Sequence, residues 1–318
     1  MASGSRNQPD QSLSGILQLA VENTVQSDEP VEREEMTEEK KEFLRNVFND
    51  LHCDEAKEMK KTVDNIKPLL GSSHENDTLV KASLLEHLQD LCQTIDNASD
   101  FHKIGGTAIL KELLNDPSSE VRWNTAELIA MVSQNNPYSQ NVLLNHDMIP
   151  VLFDLVDKDD ADIVRVKALY AISCMVRDHE PCLEAFTAND GFSYLVRAMQ
   201  GCITKLRIKA SFLLNSILRM DSKHKDVVQQ MGMVDQLVSM LQTDHDNTHE
   251  YVMLSLLTLV QDHTAAQSDA KNPCLHLHKL LKDRQEMLKG KEEFQEELEY
   301  SHELIKLLFS KEKVSVDR

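Results

Sequence analysis

The sequence predicts an all-α fold: a right-handed solenoid of about four stacked helix triplets, closed by helical N- and C-terminal caps. Three observations carry that prediction. The first is repetition. DIVRVKALYAISCM, residues 162–175, returns as SEVRWNTAELIAMV from Ser119, as TKLRIKASFLLNSI from Thr204 and, weakly, as HEYVMLSLLTLV from His249. Aligned on Arg122, Arg165, Arg207 and His249, the steps are 43, 42 and 42 residues, inside the ~40–47 period of armadillo- and HEAT-type solenoids. The second is that two shorter helical segments precede each copy. GGTAILKELL, DMIPVLFDLV, DGFSYLVRAM and GMVDQLVSML align on Leu110, Leu152, Leu195 and Leu237, and NASDFHKI, NPYSQNVLLN, EPCLEAFTAN and SKHKDVVQQM stand before them. Three helices per repeat is the armadillo form. The third is composition: aromatics at 5%, with 9 Gly and 8 Pro, supply too few turns for a β-rich chain of 318 residues.

The elements follow in order. Residues 1–35 are polar and read as a disordered arm, apart from the apolar island SLSGILQLAV with Leu13, Ile16, Leu17 and Leu19. That island is either a nascent helix without a partner or a linear motif that another protein binds. Residues 36–77 read as a helical N-terminal cap. One helix starts near Thr37 and gathers Phe43, Leu44, Val47 and Phe48 on one face; a second runs from about Asp54 to Val63, and Pro68 ends the region. The armadillo core spans residues 78–265 and opens with LVKASLLEHLQDLCQTI from Leu79, the last helix of a degenerate repeat. After Asp262 the repeat is lost. Residues 266–318 read as two or more long, charged helices that cap the stack, because a solenoid without such an end leaves an apolar face wet.

Within each framing helix, positions sharing one face at ~100° per residue form the core. They are Val121, Thr125, Leu128, Ile129 and Val132; Val164, Ala168, Ala171, Ile172 and Met175; Leu206, Ala210, Leu213, Leu214 and Ile217; and Thr248, Val252, Ser255, Leu256 and Leu259. A second face, roughly 120° away on the ~3.6-residue wheel, would line a groove. It carries Asn124, Glu127, Met131 and Gln134, then Lys167, Tyr170, Cys174 and Arg177, then Lys209, Phe212, Ser216 and Arg219, then Tyr251, Leu254, Thr258 and Gln261. A lone surface lysine means nothing, and aromatics at helical spacing usually belong to a core. Here Lys-aromatic-small-Arg occurs in two successive repeats. Four bases and one acid on this face reverse the sign of a chain whose net charge is −19. A basic groove holding Tyr170 and Phe212 would steer and hold an acidic protein surface. Arg122, Arg165 and Arg207 flank the core and are expected to pair between repeats with acids such as Glu120 and Asp162.

The acidic balance, Asp plus Glu 53 against Lys plus Arg 34, argues against nucleic acid or an anionic membrane as partner. There is no cationic run followed by an apolar stretch at the start, and no segment approaches the ~18 residues of a membrane span. Six scattered cysteines read as reduced thiols, so the expected compartment is the cytosol and the expected state a monomer. Chemistry is scarce. Cys174, His179 and Cys182 are too few for a metal site. The acids from Asp157 to Asp162 lack the Gly and Glu of a calcium loop. No phosphate loop, GxSxG or HExxH is present. Neither an enzyme nor a cofactor is expected.

DLCQTIDNASDF from Asp90, DIVRVKALYAISCMVRD from Asp162, DGFSYLVRAMQ and MGMVDQLVSMLQT resemble the heat shock protein 70-binding protein 1/Fes1 family of nucleotide exchange factors, over about residues 37–262. SLSGILQLAVENT resembles the short element in that family's N-terminal arm. The resemblance implies a co-chaperone that embraces one lobe of the nucleotide-binding domain of a cytosolic heat shock protein 70 chaperone and lets ADP leave. It implies that Leu13, Ile16, Leu17 and Leu19 mimic a bound apolar peptide, and it makes Asn97 and Ala98 contact candidates. The alternative is an armadillo adaptor for an extended peptide or another acidic partner. Such grooves usually carry an Asn ladder where this chain has Met131, Cys174, Ser216 and Thr258, which favours a folded partner.

Overall fold

The structure is a computed structural model and describes residues 38–310; the arm motif Leu13, Ile16, Leu17 and Leu19 lies outside them. Among the described residues there are helices and no strands. The chain enters through α1 (Glu38–Ile66), a short 3-10 turn at Lys67–Leu69, and α2 (Glu75–Leu91). Two helices separated before Asp54 were expected in the first stretch. The structure has one, because residues 50–54 contain neither Gly nor Pro to stop it.

Helix triplets follow. They are α3 (Ile95–Lys103), α4 (Thr107–Leu114) and α5 (Ser119–Ser133); α6 (Pro137–Asn145), α7 (Met148–Lys158) and α8 (Asp162–Val176); α9 (Glu180–Ala188), α10 (Gly191–Gln200) and α11 (Thr204–Met220); and α12 (Ser222–Gln230), α13 (Met233–Leu241) and α14 (His249–Val260). The sequence repeat fades after Asp262, yet a further triplet forms from α15 (Thr264–Ala270), α16 (Leu277–Leu288) and α17 (Gln295–Phe309). What persists there is the punctuation. The first helix of each triplet begins under a side-chain cap: Thr94, Asn136, His179, Asp221 and His263 accept from the backbone N–H of Asn97, Ser139, Cys182, Lys223 and Ala266. A left-handed residue precedes or opens the second helix each time: Gly105, Asp147, Asp190, Gly232 and His276. The apolar alignment changes after Asp262, while these turn and cap positions do not.

The long helices form one row. α2 packs on α5, α5 on α8, α8 on α11, α11 on α14 and α14 on α17. Every core position assigned from the sequence to α5, α8, α11 and α14 is buried. The row is tied by cations that reach forward into the next triplet. Lys81 on α2 pairs with Asp116, with both side chains buried. Arg122 on α5 binds Asp159 through two hydrogen bonds of 2.7 and 2.9 Å and also meets Asp160 at 3.0 Å. Arg207 on α11 pairs with Asp246 at 2.5 Å. Asp116, Asp159 and Asp246 each also accept the N–H two residues on, from Ser118, Ala161 and Thr248. One carboxylate thus fixes the turn into its own helix and anchors the preceding triplet. These acids take the place of the expected Glu120 and Asp162, which are exposed in the first turn of their helices rather than in the turn before it. Among the described residues, Arg165 finds only the carbonyl of Val156, at 2.8 Å; where the other turns carry an acid, the turn before α11 has Gly201.

Candidate functional site: a basic aromatic cleft on the row of long helices

A cleft of about 540 Å³ opens where α8, α11 and α14 run side by side. Its walls are Leu169, Tyr170, Ser173 and Arg177 from α8 and its end, Lys209, Phe212, Leu213, Asn215, Ser216 and Arg219 from α11, and Leu254 from α14. The helical wheel brings them together: residues three and four apart on one helix share a face, and the close packing of the row aligns that face across the joint. The Lys209 ammonium stands 4.6 Å from the centre of the Tyr170 ring, within cation–π range. Phe212 is 51% exposed and its ring tilts against Tyr251 at 4.7 Å between centroids. An apolar ring left this open on an otherwise well-buried helix is the kind of surface that a partner covers. Burial pushes the Tyr170 phenol up, helped by its neighbour Cys174. Burial also pushes the Cys174 thiol up, so that sulfur stays protonated and inert.

The sequence-derived face divides on inspection. Tyr170, Arg177, Lys209, Phe212, Ser216, Arg219 and Leu254 line the cleft, and Tyr251 braces it. Lys167 does not line it. Its ammonium is bound to Glu127 at 2.6 Å and lies 6.0 Å from the Trp123 ring, so the expected excess of bases falls to Arg177, Lys209 and Arg219. Met131 stays half-buried on α5. Asn124, expected on the open face, is fully buried and joined to Gln89 by a 3.0 Å bond. Cys174 and Thr258 are buried as well, because α5, α8, α11 and α14 approach closely enough to cover the small residues between them. Asn97 and Ala98 do not line the cleft either. Both are buried, and the Asn97 amide donates to Glu55 at 2.8 Å and to the Leu91 carbonyl at 2.7 Å, bracing α3 against α1 and the end of α2.

Cys174, His179 and Cys182 have structural places: both thiols are buried and His179 caps α9. Among the described residues, no group of three or more His, Cys, Asp or Glu is placed to hold a metal, and no helix is long and apolar enough to cross a membrane. The sequence missed a second cleft next to the first, built between α14 and α17 from Glu250, Tyr251, Tyr300 and the glutamates that lead into α17. Its α17 wall lies beyond the last recognisable repeat, so no alignment pointed to it.

The fold resembles designed armadillo repeat proteins, one with a TM-score of 0.62 at 16% identity over 79% of this chain and 99% of that one. It also resembles the armadillo repeats only protein of Plasmodium falciparum, with a TM-score of 0.51 at 20% identity over 65% of this chain and 95% of that one. Sequence decides more. Residues 97–236 match the SIL1/FES1/HPBP1 C-terminal domain, and residues 13–101 match the family described as nucleotide exchange factor Fes1. Hsp70-binding protein 1 from Homo sapiens is 38% identical over 96% of this chain and 87% of its own length. The Mus musculus protein of that name is 37% identical over 95% and 87%. The chain belongs to the Hsp70-binding protein 1/Fes1 family. Its fungal relatives are more distant: the Hsp70 nucleotide exchange factor FES1 of Mycosarcoma maydis is 29% identical over 46% of this chain and 37% of its own. Both halves of the family pattern are present, and the boundary between them falls at α3, where Asn97 ties the repeats to the N-terminal helices.

Proposed function

We propose that this chain is a co-chaperone of heat shock protein 70 that binds the chaperone's nucleotide-binding domain in the groove along its long helices and promotes ADP release. The observation that carries the reading is the near full-length match to Hsp70-binding protein 1. The cleft supplies the physical means. Arg177, Lys209 and Arg219 surround an exposed aromatic, Phe212, in a chain of net charge −19, which suits an acidic, folded surface. The chain acts by binding alone and bears no reaction step of its own. An exchange factor must prefer the open lobe arrangement over the closed, ADP-loaded one, since only differential affinity shifts that equilibrium. The arm motif Leu13, Ile16, Leu17 and Leu19 then occupies the chaperone's peptide site as an apolar mimic; the family match that begins at residue 13 supports this. The compartment is the cytosol. The extended-peptide adaptor is disfavoured, because Asn124 and Asn215 are both buried, Asn124 bonded to Gln89 and Asn215 to Thr258, and neither is free to clamp a peptide backbone.

Titration calorimetry with the nucleotide-free and the ADP-loaded nucleotide-binding domain tests the reading. Tighter binding to the nucleotide-free form is expected. Equal affinity for the two forms would leave no means of driving ADP out.

A further inference from the structure

The basic cleft has a neighbour of opposite sign. A second cleft of about 680 Å³ is lined by Glu250, Glu292, Glu293, Glu296 and Glu299 together with the rings of Phe212, Tyr251 and Tyr300. The two clefts share Phe212 and Leu254 as a common wall. No base is among the residues of this second wall. Burial and the facing Glu296 carboxylate push the Glu250 carboxyl up, and burial with Glu296 does the same to the Tyr300 phenol, against the pull of Arg219 across the border. The Glu250 and Glu296 carboxylates therefore face one another in a wall that holds no base, with Arg219 beyond its border, beside rings able to receive a cation on their faces. Within the groove, charge changes from positive to negative across a single exposed aromatic ridge.

We propose that the two clefts form one bipolar docking surface, in which the Glu250–Glu296–Tyr300 cleft takes a lysine- or arginine-bearing face of the same folded partner whose acidic face fills the Lys209–Arg219 cleft. The inference rests on the function proposed above and deepens it by naming what the partner must present. Two charges of one sign would let a partner slide along the row of helices. A sign change fixes register and excludes uniformly acidic surfaces, since like charges brought together cost affinity. Phe212, at the border, is the ring that both halves of the partner's surface would bury.

The test is the affinity of the full-length chain for the purified chaperone nucleotide-binding domain, measured on wild type and on Glu293→Gln/Glu296→Gln/Glu299→Gln. A control, Glu112→Gln/Glu184→Gln/Asp235→Asn, removes equal charge from exposed positions on other helices. Melting temperatures confirm that each chain is folded. The proposal expects the cleft variant to bind about tenfold more weakly, the scale of one lost close charge pair, and the control to bind like wild type. Unchanged affinity of the cleft variant, with wild type binding normally, overturns the bipolar surface and leaves the proposed function standing. Tighter binding overturns it too, and would mean that the cleft repels this partner or is filled by the chain's own residues 311–318. A wild-type chain that does not bind ends both readings.

Discussion

Lys209 and Tyr170 meet across the joint between two successive triplets, ammonium 4.6 Å from ring centre. Each comes from the same face of its own helix, and neither helix could form the contact alone. The pair holds the ammonium in place in the wall of the cleft. Lys209→Glu is expected to weaken chaperone binding by about ten- to a hundredfold, since it replaces an attraction with a repulsion at an interface. Lys167→Gln is expected to change affinity little, because that charge is already matched by Glu127. Calorimetric titration of both variants checks the contrast. Equal losses for the two would return Lys167 to the site.

The helical framework was legible because helix periodicity and the ~42-residue repeat are local signals. Core positions such as Leu128, Ile172 and Leu214 could be placed from spacing alone. The site was harder to read. Lys167 and Lys209 occupy the same position in the repeat, yet one is neutralised by Glu127 and the other is not. That difference depends on the preceding triplet, which offers the acid Glu127 from α5 to Lys167 and the aromatic Tyr170 from α8 to Lys209. Asn124 and Cys174 also sit on the open face of an isolated helix and are covered only once the row assembles. The acidic cleft draws on α17, where the sequence repeat no longer gives a register.

The buried Lys81–Asp116 pair joins α2 to the first triplet, and Lys81 also donates to the Ser72 carbonyl at 2.8 Å. Lys81→Met leaves the Asp116 carboxylate buried without its cation. A loss of roughly 3–5 kcal/mol is expected, the usual cost of breaking one side of a buried pair. Urea denaturation checks it. A variant within ~0.5 kcal/mol of wild type would show that water reaches Asp116 freely.

Gly201 occupies the turn before α11, where the turns before α5, α8 and α14 have Asp116, Asp159 and Asp246. Its φ of −70° and ψ of 174° are open to any residue, and a Cβ there meets nothing closer than the Ala198 carbonyl at 3.5 Å. Gly201→Asp would give Arg165 the acid partner that Arg122 and Arg207 have. A gain of about 0.5–1 kcal/mol is expected from the restricted unfolded chain and the new pair. The melting temperature reads it out; a fall would mean that Arg165 cannot reach across.

Acid should destabilise the chain well above the usual carboxylate range. Burial, with the nearby His146 charge, holds His102 down at about 4, and burial beside the Arg284 guanidinium holds His249 down at about 4. Burial lowers His179 and His224 as well. Unfolded imidazoles take up protons near pH ~6.5, so between that pH and about 4 the unfolded state binds more protons and stability falls as pH falls. Asp246 acts lower still. Burial alone would raise its carboxyl, but hydrogen bonds from Thr248 and Arg207 outweigh burial and hold it at about 2; that contribution is present above pH ~3.8 and is lost as pH falls toward about 2. The urea midpoint is expected to drop steadily from pH 7 to pH 4.5. A flat profile over that range would show that these imidazoles titrate alike in both states.

Release of fluorescent ADP from heat shock protein 70, followed by stopped flow, tests the central claim most directly. The wild-type chain is expected to accelerate release, and Lys209→Glu/Arg219→Glu, with an unchanged melting temperature, to lose that acceleration. Added salt should slow the wild-type effect, because exposed charges are screened beyond a Debye length of ~8 Å at physiological ionic strength. No acceleration by the wild-type chain, or equal acceleration by the double variant, would contradict the account.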